Sequence, residues 1–187
     1  MDGVSGIVLA GGQGRRMGGV DKGLQILRGK PMVAWALERL TPQVAEVIVN
    51  ANQNLEAYAR FGHRVVPDAI GGFAGPLAGL HAGLCAVSQP LAVSVPCDSP
   101  FLPLDLVVRL RAALRANDLA VAKTGDQPHP VFSLVRCAVR GHLEAFLSDG
   151  GRKIDAWYAT LRVIEVPFDD EAEAFRNINT REELKDA

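Results

Sequence analysis

The chain has 187 residues, 48% of them hydrophobic and 22% charged, with a formal net charge of −1. That is the composition of an ordinary globular domain with room for a proper core, expected here as one domain over residues 1–187. It carries no global basic field for nucleic acid or an anionic membrane. No apolar run approaches the roughly 18 residues of a membrane span. Residues 1–6 lack the basic and apolar regions of a signal peptide, and the three scattered cysteines, Cys85, Cys97 and Cys137, suit a reducing cytosol better than a disulfide framework. A cytoplasmic protein with neither nucleic-acid nor membrane partners is expected.

The hydrophobic period alternates between strand and helix, without repeat, linker or low-complexity tract. Ile7 to Ala10 reads as a short buried strand. Pro31 starts a helix whose apolar stripe is Met32, Val33, Ala36, Leu37 and Leu40. Val44 to Val49 is a second strand ending in Asn50, Leu55 to Phe61 a short helix, and His63 to Val66 a third strand ending in Pro67 and Asp68. A glycine-rich turn, Gly71 to Gly75, leads to Pro76 and a helix in which Gly75, Gly79 and Gly83 share one face, as close packing on a sheet requires. Leu91 to Val95 is a nearly all-apolar fourth strand that runs into PCDSPFLP, residues 96–103. A helix striped by Leu106, Val107, Leu110 and Leu114 follows. Strands at Leu119 to Ala122 and Val131 to Val135, a helix around Val139 to Leu147 and a late strand at Leu161 to Val166 come next. Thr180 and Glu183 form a capping box for a final helix. The alternation predicts a three-layer, Rossmann-like α/β fold with a mostly parallel central sheet.

In such sheets ligands sit beyond the carboxyl ends of the strands, where strand order reverses. The residues that follow the strands are therefore the candidate site. After the first strand comes LAGGQGRRMGGVDKG, residues 9–23, with six glycines, two arginines and a lysine. It is neither a P-loop, since Val20 and Asp21 stand where Lys-Ser/Thr is needed, nor a dinucleotide fingerprint, since Met17 replaces the third glycine. Its chemistry still suits phosphate: bare backbone from Gly11 and Gly12 onward can wrap an anion, and Arg15, Arg16 and Lys22 can neutralise it. Asp98, stiffened by Pro96, Pro100 and Pro103, can hold Mg²⁺ with substrate phosphates or cap the next helix. Asn50 and Asp68 suit a ribose or a base edge, an Asp on a purine N–H pair selecting guanine; equally, both suit turns. A cationic glycine loop without a P-loop fits nucleotidyl transfer, with attack on the α-phosphate and loss of pyrophosphate.

The stretch LAGGQGRRMGGVDKGL, followed by GKP, resembles the molybdenum cofactor guanylyltransferase family. The resemblance continues in order through IVNANQ (48–53), VVPD (65–68), GPLAGL (75–80), PCDSPFLP, HPVFSL (129–134) and NINTREEL (177–184). It implies the nucleotidyltransferase fold, Mg²⁺ as cofactor, and transfer of GMP from GTP to molybdenum-molybdopterin. Cofactor-insertion chaperones and molybdoenzyme apoproteins would be partners. It further implies that Leu9, Ala10 and Gly11 with neighbouring Gly12, and Lys22, Asn50, Asp68 and Asp98, contact GTP. Asp98 would bind the metal, and Arg16 and Gly19 would serve the phosphates. His129 and Arg152 are candidates for an anionic pterin pocket, set against a strand-entry turn and a solvated helix start; Asn177 and Asn179 are candidates for holding loop or pterin. Rival readings are a cytidylyltransferase for the same cofactor, a sugar-1-phosphate nucleotidyltransferase, and a non-catalytic GTP-dependent pterin delivery protein.

Overall fold

Strand-forming residues buried on both faces need helices above and below them, and the computed structural model, which describes residues 3–12, 20–70 and 75–178, has that layering. Its elements in chain order are β1 (Val4–Leu9), β2 (Ile26–Leu27), β3 (Lys30–Pro31), α1 (Met32–Leu40), β4 (Glu46–Asn50), α2 (Leu55–Ala59), β5 (Arg64–Val66) and α3 (Pro76–Ala86). They continue with β6 (Leu91–Pro96), α4 (Leu106–Leu114), β7 (Leu119–Thr124), β8 (Gln127–Arg136), α5 (Arg140–Ser148), α6 (Ile154–Tyr158) and β9 (Val163–Pro167), and a 3₁₀ segment at Asp169–Phe175. Among the described residues, seven strands form one sheet in the order β5-β4-β1-β6-β8-β7-β9. Every neighbouring pair is parallel except the two that β8 makes, with β6 and with β7. The chain runs from β1 outward through β4 to β5, then returns to place β6 on the other side of β1. The strand order therefore reverses at β1, and the crevice beyond its carboxyl end is where ligands of such sheets bind.

The pleat sorts the core into two clusters. Val4 and Val8 of β1 pack with Val33, Ala36, Leu37 and Leu40 of α1 and Leu106, Val107, Leu110 and Leu114 of α4. Ile7 packs in the other cluster with Leu77, Leu80 and Leu84 of α3, Leu143 and Leu147 of α5, and Trp157 of α6. Alternate residues of one strand thus feed opposite layers, as period-2 geometry requires. The helical stripes expected for α1 and α4 are buried in full.

The elements differ from expectation at their ends. β1 begins three residues earlier than Ile7, because Gly6 allows close approach: a Cβ there would stand 2.9 Å from Leu40 Cδ2. β9 starts at Val163 rather than Leu161. The β2–β3 hairpin, turning through Arg28 and Gly29 at φ 48° and 87°, and the five-residue α6 were not foreseen; two-residue strands and a single helical turn carry too little periodicity to register. The final helix expected from Thr180 lies outside the described residues.

Candidate active site

The carboxyl ends of β1, β4, β5 and β6 are stitched together by backbone bonds. Ala10 N–H donates to Asn50 O at 2.8 Å, Ala51 N–H to Val66 O at 3.1 Å, and Cys97 N–H to Leu9 O at 3.1 Å. This brings the residues after each strand to one rim. Just beyond β1, Ala10, Gly11, Gly12, Val20, Asp21, Asn52 and Gln53 line an open depression.

On one side of it lies an amide–carboxylate cluster. Asn50, only 1% exposed, donates through Nδ2 to Val66 O at 3.2 Å and to Asp68 Oδ1 at 2.9 Å. Asn52 Nδ2 donates to Asp68 Oδ2 at 2.8 Å, and Asp68 N–H returns a bond to Asn52 Oδ1 at 2.8 Å. Two glycines make room for Asn50. A Cβ at Gly11 would come within 3.0 Å of Asn50 Oδ1 and 2.8 Å of Asn52 Nδ2, and one at Gly79 would stand 2.2 Å from Asn50 Oδ1. The shared glycine face of α3 therefore divides. Gly79 accommodates the site and Gly83 packs on Ile7, where a Cβ would stand 2.6 Å from Cγ2. Gly75 faces open space and serves as the N-cap at φ 66°.

On the other side, Lys22 Nζ donates to Asp98 Oδ2 at 3.2 Å, with the two side chains 23% and 13% exposed. Asp98 is not a helix cap: Asp105 occupies the N-cap position of α4. Its backbone oxygen accepts from Ile178 N–H at 3.0 Å, and the neighbouring Ser99 hydroxyl donates to Asn177 Oδ1. The C-terminal segment is thereby docked beside Asp98, bringing Asn177 to the same rim. The buried Cys97 precedes Asp98 in the chain; its thiol is pushed up by burial and by the negative charges of Asp98 and Asp21, so it stays protonated.

The remaining candidates fall elsewhere. The His129 ring stacks on Phe175 at 4.7 Å, meets Phe132 edge-on, and pairs through Nε2 with Thr124 Oγ1 at 2.7 Å. Burial lowers its pKa, which keeps it neutral. Arg152 Nη1 donates to Leu147 O at 2.8 Å and to Gly151 O at 2.6 Å, so its guanidinium serves the carboxyl end of α5. Arg16, Gly19 and Asn179 lie outside the described residues. Two residues of the rim were missed. Asn52 stands inside the IVNANQ block, two residues after Asn50, but its partner Asp68 is 16 residues away. In the sequence Asp21 stands out only as a residue that breaks the P-loop pattern.

For a metal, Asp98 is a hard oxygen donor at a strand end. Among the described residues no three His, Cys, Asp or Glu side chains gather into a protein cage. One carboxylate completed by substrate phosphates and water is the arrangement Mg²⁺ commonly takes, so these residues fit that ion.

A strand-order switch at β1, a glycine-lined depression and a lysine–carboxylate pair facing an asparagine–aspartate cluster define a nucleotidyltransferase. Residues 6–163 match the MobA-like NTP transferase domain. The chain is 52% identical to the molybdenum cofactor guanylyltransferase of Cupriavidus necator, over 98% of this chain and 96% of that protein. It is 48% identical to that of Shewanella amazonensis, over 97% and 94%. Among solved structures, the molybdopterin-guanine dinucleotide biosynthesis protein A of Archaeoglobus fulgidus superposes with a TM-score of 0.79 at 28% identity, covering 97% of this chain and 95% of that one. The 2-C-methyl-D-erythritol 4-phosphate cytidylyltransferase of Thermus thermophilus shares the fold at 19% identity, with a TM-score of 0.72 and coverage of 97% and 95%. The chain belongs to the MobA-like NTP transferases and, within them, to the molybdenum cofactor guanylyltransferase family.

Proposed function

We propose that the chain transfers GMP from GTP to molybdenum-bearing molybdopterin, releasing pyrophosphate and the guanine dinucleotide form of the cofactor, and that one domain in the cytoplasm carries the whole reaction. The observation that carries this reading is the Lys22–Asp98 pair at 3.2 Å, at the switch point of the sheet. Leu9, Ala10, Gly11 and Gly12 present backbone to the nucleotide. Asn50 and Asp68 hold its ribose or base edge, and Asn52 orients the Asp68 carboxylate for that task. Arg16 joins Lys22 on the phosphates. Asp98 would hold Mg²⁺, which would supply charge neutralisation at the phosphates. Asn177, docked beside Asp98, is the nearest pterin-side candidate on the rim, with Asn179 two residues further along the chain. His129 and Arg152 are weaker pterin contacts, being engaged by Thr124 and by the Leu147 and Gly151 carbonyls.

The terminal phosphate of the pterin attacks the α-phosphorus in line: one P–O bond forms there and the bond to the β-phosphate oxygen breaks. That nucleophile is already anionic, so the chain need not provide a strong base. Its contribution is positioning and neutralisation. Lys22, released from Asp98 as substrate arrives, covers charge on the departing pyrophosphate. Incubation with GTP, Mg²⁺ and the molybdenum-bearing pterin, followed by mass detection of the dinucleotide, tests the reaction. Parallel reactions with CTP and UTP should give no product. Dinucleotide formed from CTP instead would favour the cytidylyltransferase reading, and binding without pyrophosphate release the delivery protein.

A further inference from the structure

Lys22 is carried by a stretch that is gripped from outside the blocks on which the family resemblance rests. The Asp21 carboxylate accepts from the Tyr58 hydroxyl at Oδ1, 2.5 Å away, and from Asn54 Nδ2 at Oδ2, 3.0 Å away. Tyr58 is completely buried. Burial, joined by the hydrogen bond to Asp21 and its negative charge, pushes the Tyr58 pKa far up, and the phenol remains a donor. Asn54 sits at the N-cap of α2 in a left-handed conformation, φ 52°, yet its side chain makes no capping bond. That side chain reaches Asp21 instead. Gly23 is threaded between the two walls: a Cβ there would stand 2.5 Å from the Tyr58 oxygen and 3.1 Å from Cys97 Sγ. Cys97 adjoins Asp98, so residues 21–23 are held on one side by α2 and face the metal-side carboxylate on the other.

We propose that Tyr58 and Asn54 are positioning residues for nucleotidyl transfer, gripping Asp21 so that Lys22 is presented to the phosphates at Asp98. Five-residue α2 is thus a bracket for the phosphate-binding segment. The inference rests on Lys22 serving the phosphates. The Tyr58→Phe variant keeps the ring and removes the hydroxyl. Loss of one charge-assisted hydrogen bond should lower GTP turnover on the order of tenfold, while affinity for guanosine, which has no phosphate, stays within about twofold. In a Lys22→Ala background, measured by pyrophosphate release with enzyme in excess, adding Tyr58→Phe should change the rate by less than about twofold, because the group being positioned is gone. An equal loss in both backgrounds, or a Tyr58→Phe enzyme at parental rate, overturns the positioning role. A Lys22→Ala enzyme that turns over at the parental rate is a different failure: it removes the assignment of Lys22 itself, and the bracket with it. Asn54→Gly keeps the left-handed backbone, removes only the exposed amide, and gives the same comparison should Tyr58→Phe not fold.

Discussion

Gly79→Ala sets two physical effects against each other. Alanine is the better helix former, by up to about 1 kcal/mol in a helix interior. Against that, the new methyl carbon would stand 2.2 Å from Asn50 Oδ1, 2.9 Å from its Cγ and 3.1 Å from Leu9 Cδ2. Asn50 is buried and tied to Val66 O and Asp68, so it cannot swing into solvent without giving up both bonds. Overpacking costs roughly 1–3 kcal/mol, and each lost bond about 1 kcal/mol more. The clash wins by about 2–4 kcal/mol, which for a chain of this size lowers Tm by roughly 5–15 °C. Because Asn50 also holds Asp68, GTP affinity should fall together with stability. Thermal unfolding and calorimetric GTP titration of the same preparation read both. A Gly79→Ala protein that melts at or above the parental temperature and binds GTP unchanged would refute the packing argument.

Asp98→Ala should abolish Mg²⁺-dependent turnover while circular dichroism and melting report an intact fold; retained activity would remove Asp98 from the reaction. Lys22→Ala should slow product formation about a hundredfold, the scale of a lost charge-stabilising donor, measured by pyrophosphate release. His129 should make stability depend on pH. Its folded pKa lies below the ordinary 6.5, so the unfolded chain binds its proton first, and stability present above pH 6.5 is lost as pH falls through that value toward the folded pKa. His129→Phe keeps the stack on Phe175 and removes this contribution, so denaturant unfolding from pH 7.5 to 5.0 should show a flatter profile than the parent, which retains the similarly buried His63 in both proteins.

Hydrophobic period and turn chemistry were enough to read the succession of strands and helices, the stripes of α1 and α4, and the strand ends that carry Asn50, Asp68 and Asp98. Those features are local: a window of ten residues contains the face that will be buried and the polar residue that interrupts it. The partners at the rim are not local. Asn52 meets Asp68 across 16 residues, Tyr58 meets Asp21 across 37, Lys22 meets Asp98 across 76 and Ser99 meets Asn177 across 78. Such pairings exist only once the sheet has taken its order and β8 its reversed direction, and no periodicity encodes either.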